Sequence, residues 1–270
     1  MGTWTRVGKK VSAMALGIAM LGTQTIRAQE DAVTRLQAEA AASPERLELG
    51  VSLGNVAVAA GKLDLALASY GKVLAKLDPD SEGAADLHLR IGEVQRRKGD
   101  LTAAAQSLTR ASAMQPENPA AFGTLAMVLE ASGRIPEAVR AYRRAIQLDG
   151  ENSIALNNLA LLLSESGSDL DEALTLARRA QRLEPLDPDI ADTVGSICLK
   201  KNLADDAIRA FAASIAREPD QAGFRYHMAM AYAQKGDRPA AIDQLNQALT
   251  GMLAEKEREG ARQLLAVLEK

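Results

Sequence analysis

An all-α fold built from repeated helix pairs is the expectation for this 270-residue chain, and three observations predict it. Aromatic residues are only 3% of the sequence while alanine and leucine are abundant, which suits helices packed through small side chains better than strands. Apolar residues recur three and four positions apart. In GRIPEAVRAYRRAIQLD, 133–149, the stripe is Ile135, Ala138, Val139, Tyr142, Ala145 and Ile146, set against Arg134, Arg140, Arg143 and Arg144. Finally, Gly61, Gly99, Gly133, Gly167 and Gly236 mark turns, with Asn202 in the remaining place, at spacings of 38, 34, 34, 35 and 34. Glycine, and less easily asparagine, enters the left-handed conformation that ends a helix tightly.

The first element, residues 1–28, differs from the rest. Arg6, Lys9 and Lys10 precede the apolar run VSAMALGIAMLG, and TQTIRA ends on the small residue Ala28. A basic start, a short apolar core and a small terminal residue read as a secretory signal peptide cleaved after Ala28. The run is shorter than the ~18 apolar residues that would span a bilayer. No cysteine lies there, so a bacterial lipid-anchor site is not expected, and the predicted address is the periplasm or the outside of the cell. Cleavage takes four of the 32 basic residues (Arg6, Lys9, Lys10, Arg27) and none of the 35 acidic ones, leaving a net charge of −7. That balance, with no basic stripe, argues against a nucleic-acid partner.

Residues 29–46 form an N-terminal capping segment, in which DAVTRLQAEAA (31–41) reads as a short helix covering the first pair. Six helix pairs then run from 47 to 253. A small residue sits seven places before most turns, after a large apolar one: Leu53-Gly54, Ile91-Gly92, Leu125-Ala126, Val194-Gly195 and Met228-Ala229. An alanine follows the turn by five places and a larger side chain by nine, as in Ala66 and Tyr70, Ala138 and Tyr142, Ala207 and Phe211. Pro79, Pro116, Pro185 and Pro219 close units, because proline does not sit inside a helix. SEGA, 81–84, lengthens the first spacing and reads as a longer loop, and SGSDLDEA delays the fourth alanine to Ala173. Residues 254–270, with Leu264, Leu265, Val267 and Leu268 among charges, read as a C-terminal capping helix.

The leucine–glycine pair, the later alanine and aromatic, and the closing proline resemble the tetratricopeptide repeat, whose unit is 34 residues long. The resemblance covers about 47–253 and implies a right-handed superhelical solenoid of helix-turn-helix repeats. It departs from the pattern at the tryptophan of the first helix, where Gly50, His88, Phe122, Leu156, Ala191 and Arg225 stand instead. No single pair can bury its apolar face, so stacking makes one continuous core, with the larger residue after the turn filling the gap to the next unit.

Little in the chain suggests chemistry. DPDSEG (78–83) imitates a calcium loop, but its twelfth residue is Leu89 where a bidentate glutamate is needed, so Asp and Ser there read as helix caps. His88 and His227 are far apart in sequence and make no zinc motif. The glycines are dispersed rather than gathered into a phosphate loop, and Ser164, Ser166 and Ser168 lack a partner that would mark a nucleophile. Cys198, the only cysteine, reads as a small core residue. No enzyme, cofactor or metal is expected.

Surface is what remains. In such repeats the first helices line a concave groove, the usual binding face. Helical phase places Arg90, Glu93, Arg96 and Arg97 on it in the second unit, Asn157 and Asn158 in the fourth, Asp189 and Asp192 in the fifth, and Tyr226, His227 and Met230 in the sixth. Amides both donate and accept, and a tyrosine offers rigid contact area. The clamp of lysine, asparagine and arginine by which some family members hold a peptide carboxylate is not met: Val51, Asn55 and Arg90 occur without the lysines. The expected role is therefore an exported scaffold that binds a protein or extended peptide, in cell-envelope assembly, secretion or polysaccharide export. The alternative is a module for polysaccharide or cell-wall glycan, for which Tyr226 is the one groove aromatic. The sequence leaves the oligomeric state open.

Overall fold

The turn residues and small-residue pattern fold as helix pairs in a computed structural model, which describes residues 28–167 and 169–270. Helix α1 covers residues 28–42. The first three pairs are α2 (Leu47–Ala59) with α3 (Leu63–Leu74), α4 (Glu82–Arg97) with α5 (Leu101–Met114), and α6 (Pro119–Ala131) with α7 (Ile135–Leu148). The next three are α8 (Ser153–Ser166) with α9 (Leu170–Leu183), α10 (Pro188–Lys200) with α11 (Ala204–Arg217), and α12 (Ala222–Lys235) with α13 (Arg238–Thr250). Helix α14 (Glu255–Leu268) follows. The chain divides after Glu117 into two compact units, the first holding α1–α5 and the second α6–α14.

All six turn residues have positive φ, from 59° at Asn202 to 84° at Gly236. Asn202 is the only non-glycine with positive φ among the described residues. At Gly133, the N–H of Arg134 donates to Leu129 O at 2.8 Å and that of Gly133 to Glu130 O at 2.8 Å, the paired bonds that close a Schellman turn. Polar side chains then start the next helix. Asp100, Asp169 and Asp237 accept from the N–H three residues on, as do Ser81 and Asn152.

The post-turn alanines Ala66, Ala104, Ala138, Ala173, Ala207 and Ala241 are all fully buried. Nine residues after the turns, Tyr70, Leu108, Tyr142, Phe211 and Leu245 are buried too. These larger residues pack first on the small residue of their own pair. A Cβ on Gly54 would lie 2.2 Å from Tyr70 Cε1, and one on Gly92 would lie 2.5 Å from Leu108 Cγ. Tyr142 also reaches the next pair, as sequence suggested: its hydroxyl donates to Glu130 Oε2 at 2.6 Å and accepts from Asn158 Nδ2 at 3.0 Å.

Three expectations change. SEGA is not a loop: Ser81 accepts from Ala84 N at 3.2 Å, and residues 82–84 are the first turn of α4. The burial of Ala84 and Ala85 draws this segment into the helix, so the extra length goes to residues 75–81 and to a 16-residue α4. In α14, Leu264, Leu265 and Leu268 pack with Ala261 against Ala229 and Leu245, but Val267 is 65% exposed because it falls off that stripe. Ser81 is the N-cap of α4, as expected, whereas Asp78 caps no helix: its Oδ1 accepts from Asp80 N at 3.0 Å within the preceding turn. The signal-peptide expectation lies outside the described residues, except at Ala28. Among the described residues no helix is long and apolar enough to cross a membrane.

Helix α7 buries Ala138, Ala141, Tyr142 and Ala145. Its arginines are outside that stripe: Arg134 donates to Glu137 at 2.8 and 2.6 Å, Arg143 to Glu172 at 2.7 Å, and Arg144 stands 5.8 Å from the centre of the Phe122 ring.

Candidate functional site

In the first unit, helix α4 carries the four predicted contacts, and they are largely spent on one another. Arg96 donates twice to the Glu93 carboxylate at 2.8 Å each, and Arg97 donates once at 3.0 Å. The hydrogen bonds from Arg96, with further help from Arg97, hold Glu93 below the usual carboxylate range despite its partial burial. Arg90 is exposed and donates to Asn55 Oδ1 at 3.2 Å, the same atom that accepts from the Tyr70 hydroxyl at 2.7 Å. A cavity of about 310 Å³ lies among α1, α2 and α3, with Leu47, Leu53 and Val73 in its walls beside Lys72 and Lys76. Lys76 is already donating to Pro44 O at 2.5 Å.

In the second unit the first helices of successive pairs stack, α8 against α10 and α10 against α12, and α14 follows on α12. Equivalent positions in these helices therefore share one face. Between α6 and α8 this face opens into a cavity of about 190 Å³, lined by Gly123, Thr124 and Met127 of α6 and by Ile154 of α8. A Cβ on Gly123 would meet nothing closer than Asn152 Nδ2 at 3.9 Å, so the missing side chain is what leaves the space open. Ile154 is 61% exposed.

Asn158 is half-buried and committed to the Tyr142 hydroxyl, while the neighbouring Asn157 has a buried Oδ1 with no hydrogen-bond partner among the described residues. Asp189 stands exposed in the first turn of α10. Burial of its carboxyl, and then the like charges of Asp187 and Asp192, push its pKa upward. Asp192 and His227, 35 residues apart, are brought together: His227 Nδ1 lies 2.8 Å from Asp192 Oδ1. Glu257 of α14 stands 3.9 Å from the other ring nitrogen, and the ring tilts against Phe211 and Tyr226. Burial pulls the His227 pKa down, but the hydrogen bond and charge of Asp192, with the charge of Glu257, outweigh it and the net shift is upward. Tyr226 is half-buried against α14, where a Cβ on Gly260 would lie 2.4 Å from its hydroxyl oxygen. Met230 is half-buried on the same helix.

The structure thus joins Asp192 to His227, with Tyr226 against the His227 ring and Asp189 within the field of Asp192, and Glu93 to Arg96 and Arg97. Sequence reasoning missed Glu257, Glu130, Met127 and Ile154. Ile154 could have been found: it holds the register position of Asp189, outside the buried stripe, where an apolar residue has no packing to do. Glu257 gave no such signal, since its place depends on how α14 docks. Cys198 is a free, buried thiol whose pKa burial pushes up.

Comparison with known proteins follows the same geometry. The tetratricopeptide repeat profile matches residues 51–119, 124–188 and 199–256, and a second profile of that description matches 95–144. No curated protein matches the sequence. Among solved structures, a tetratricopeptide repeat protein from Parabacteroides merdae is 18% identical with a TM-score of 0.68, covering 83% of this chain and 86% of its own. PilF of Pseudomonas aeruginosa is 19% identical with a TM-score of 0.68, over 83% of this chain and 99% of its own. YrrB, described as having an unusual peptide-binding site, is 19% identical with a TM-score of 0.62, over 72% of this chain and 97% of its own. At these identities the likeness is one of fold.

Proposed function

The chain belongs to the tetratricopeptide repeat family, and we propose that it is a non-enzymatic scaffold binding a protein or extended peptide on the face formed by its first helices. The observation that carries this reading is the open cavity between α6 and α8 with Ile154 exposed beside it. An apolar side chain of that size at the surface, next to a recess, is the arrangement that anchors a partner's side chain. The description of YrrB as a peptide-binding repeat protein agrees with such a use of the fold. The family is typically non-catalytic, and on the second unit's first-helix face Asp192 and His227 pair with one another. Glycan binding is the weaker reading, because Tyr226 lies against α14 rather than standing clear as a platform.

Export belongs to the same proposal and rests on the basic, apolar and small-residue order of residues 1–28. An envelope role in assembly, secretion or polysaccharide export follows from that address together with the fold. The test is site-specific photo-crosslinking in cells, with the probe at Ile154 or, for comparison, at Arg140 on a second helix. A discrete crosslinked protein from position 154 and none from 140 is expected; equal labelling at both, or none at 154, overturns the reading. Intact mass of the purified protein checks the leader, and a chain that retains Met1 refutes cleavage after Ala28.

A further inference from the structure

On the second unit's first-helix face, α12 carries the cations Arg225 and Lys235, the latter paired with Asp205 of α11. Helices α6, α8 and α10 carry Glu130, Glu165, Asp189 and Asp192 against a single cation, Lys200. That ammonium is held by Ser164 O at 2.8 Å. Glu130 is taken by the Tyr142 hydroxyl and Asp192 by His227. Asp189 is left exposed, and among the described residues it is in no ion pair. Asp187, which caps α10 through Asp189 N and Ile190 N, adds its own charge close by.

The apolar part of the face adjoins this negative part. Ile154 and Asp189 are each the second residue of their helices, α8 and α10, which pack on one another. Packed helix axes lie about 8–10 Å apart, so the two side chains are offset by a distance that about three residues of an extended chain would span.

We propose that this face selects an extended peptide segment in which an apolar side chain seats in the cavity at Met127 and Ile154 and a lysine or arginine two to four residues away meets Asp189. The inference rests on the peptide-binding reading above and adds the chemistry of the peptide. An aliphatic side chain fits the cavity of about 190 Å³ against Met127, Ile154, Ala120 and Ala155, with Tyr142 and Asn152 also in its walls. The cation relieves the mutual repulsion of Asp187, Asp189 and Asp192, the same repulsion that helps to push the Asp189 pKa upward. An acidic segment would add to that repulsion and is rejected. Attraction at this exposed carboxylate is screened by salt, so selectivity for the cation weakens as ionic strength rises, while the apolar contact persists.

The experiment is titration of the full folded protein with short synthetic peptides, followed by fluorescence anisotropy. Each carries one leucine followed at two, three or four residues by lysine in a glycine–serine background, and a matched set carries glutamate in place of lysine. Lysine peptides are expected to bind about tenfold or more tightly than glutamate peptides at low salt. Asp189→Lys removes or inverts the preference, Ile154→Ser weakens both sets, and Arg140→Ser changes neither, with helical circular dichroism unchanged in all three. Binding that is weakened by Ile154→Ser but indifferent to peptide charge overturns the selectivity and leaves the peptide-binding reading standing. Binding by no peptide of either set overturns both.

Discussion

Gly195 and Phe211 touch so closely that a Cβ on the glycine would lie 2.4 Å from Phe211 Cε1 and 2.6 Å from Cδ1. The ring is fully buried and has nowhere to move. Gly195→Ala is therefore expected to destabilise the chain by about 1–3 kcal/mol, the cost of overpacking a filled core. Phe211→Leu in the same chain should return part of that loss, because Leu108 and Leu245 fill this register position in other pairs. Urea denaturation of the two single variants and the double variant measures the coupling.

Two other glycines separate backbone strain from packing. Neither Gly71 nor Gly133 has an atom within 4 Å of an added Cβ, but only Gly133 has positive φ, 71°. Gly133→Ala should cost about 1–2 kcal/mol in left-handed strain. Gly71→Ala, at an exposed site inside α3, should stabilise by up to about 1 kcal/mol through helix propensity. Thermal melts of the pair should move in opposite directions.

The two histidines should titrate in a fixed order. Burial first, then the charge of Arg110, lowers the His88 pKa, whereas Asp192 and Glu257 raise that of His227. NMR titration should place the His227 midpoint above that of His88. Asp192→Asn should draw the His227 midpoint down.

The same shift has a consequence for stability. Because the folded pKa of His227 lies above its unfolded value, its stabilising contribution is complete below about pH 6.5 and disappears as pH rises through the folded pKa. Denaturation from pH 5.5 to 8.5 should show wild type losing this advantage over His227→Gln. A constant difference between the two across that range would contradict the pairing.

Removal of the Tyr142 hydroxyl tests the link between the third and fourth pairs. Tyr142→Phe strips Asn158 of its acceptor and Glu130 of its donor, at an expected cost of about 1–3 kcal/mol. Hydrogen exchange in α8 should speed up along with the loss of denaturant resistance.

The repeat was legible because it is written in local terms. A residue that must adopt positive φ announces itself as glycine or, at Asn202, asparagine. An alanine whose Cβ meets a neighbouring helix recurs in register, so helix pairing and the buried positions at Ala66, Ala138, Tyr142 and Phe211 could be read without coordinates. The end of the first spacing was misread at SEGA because the burial of Ala84 and Ala85, not their local propensity, decides that they join α4. The candidate contacts fared unevenly for a related reason. Helical phase gives a side chain's direction but not its neighbours, so Arg96 and Glu93 were legible as surface charges but not as partners.

Sequence by itself thus determined the helix pairs, their turns and the small-to-large packing, since each depends on backbone conformation and side-chain volume within one or two units. Tertiary structure alone decided which surface groups remain available. It placed Asp192 on His227, set Tyr226 against α14, and left Ile154 and Asp189 exposed on neighbouring helices. Those outcomes depend on distances between residues remote in the chain, and a repeating pattern of residue types does not encode them.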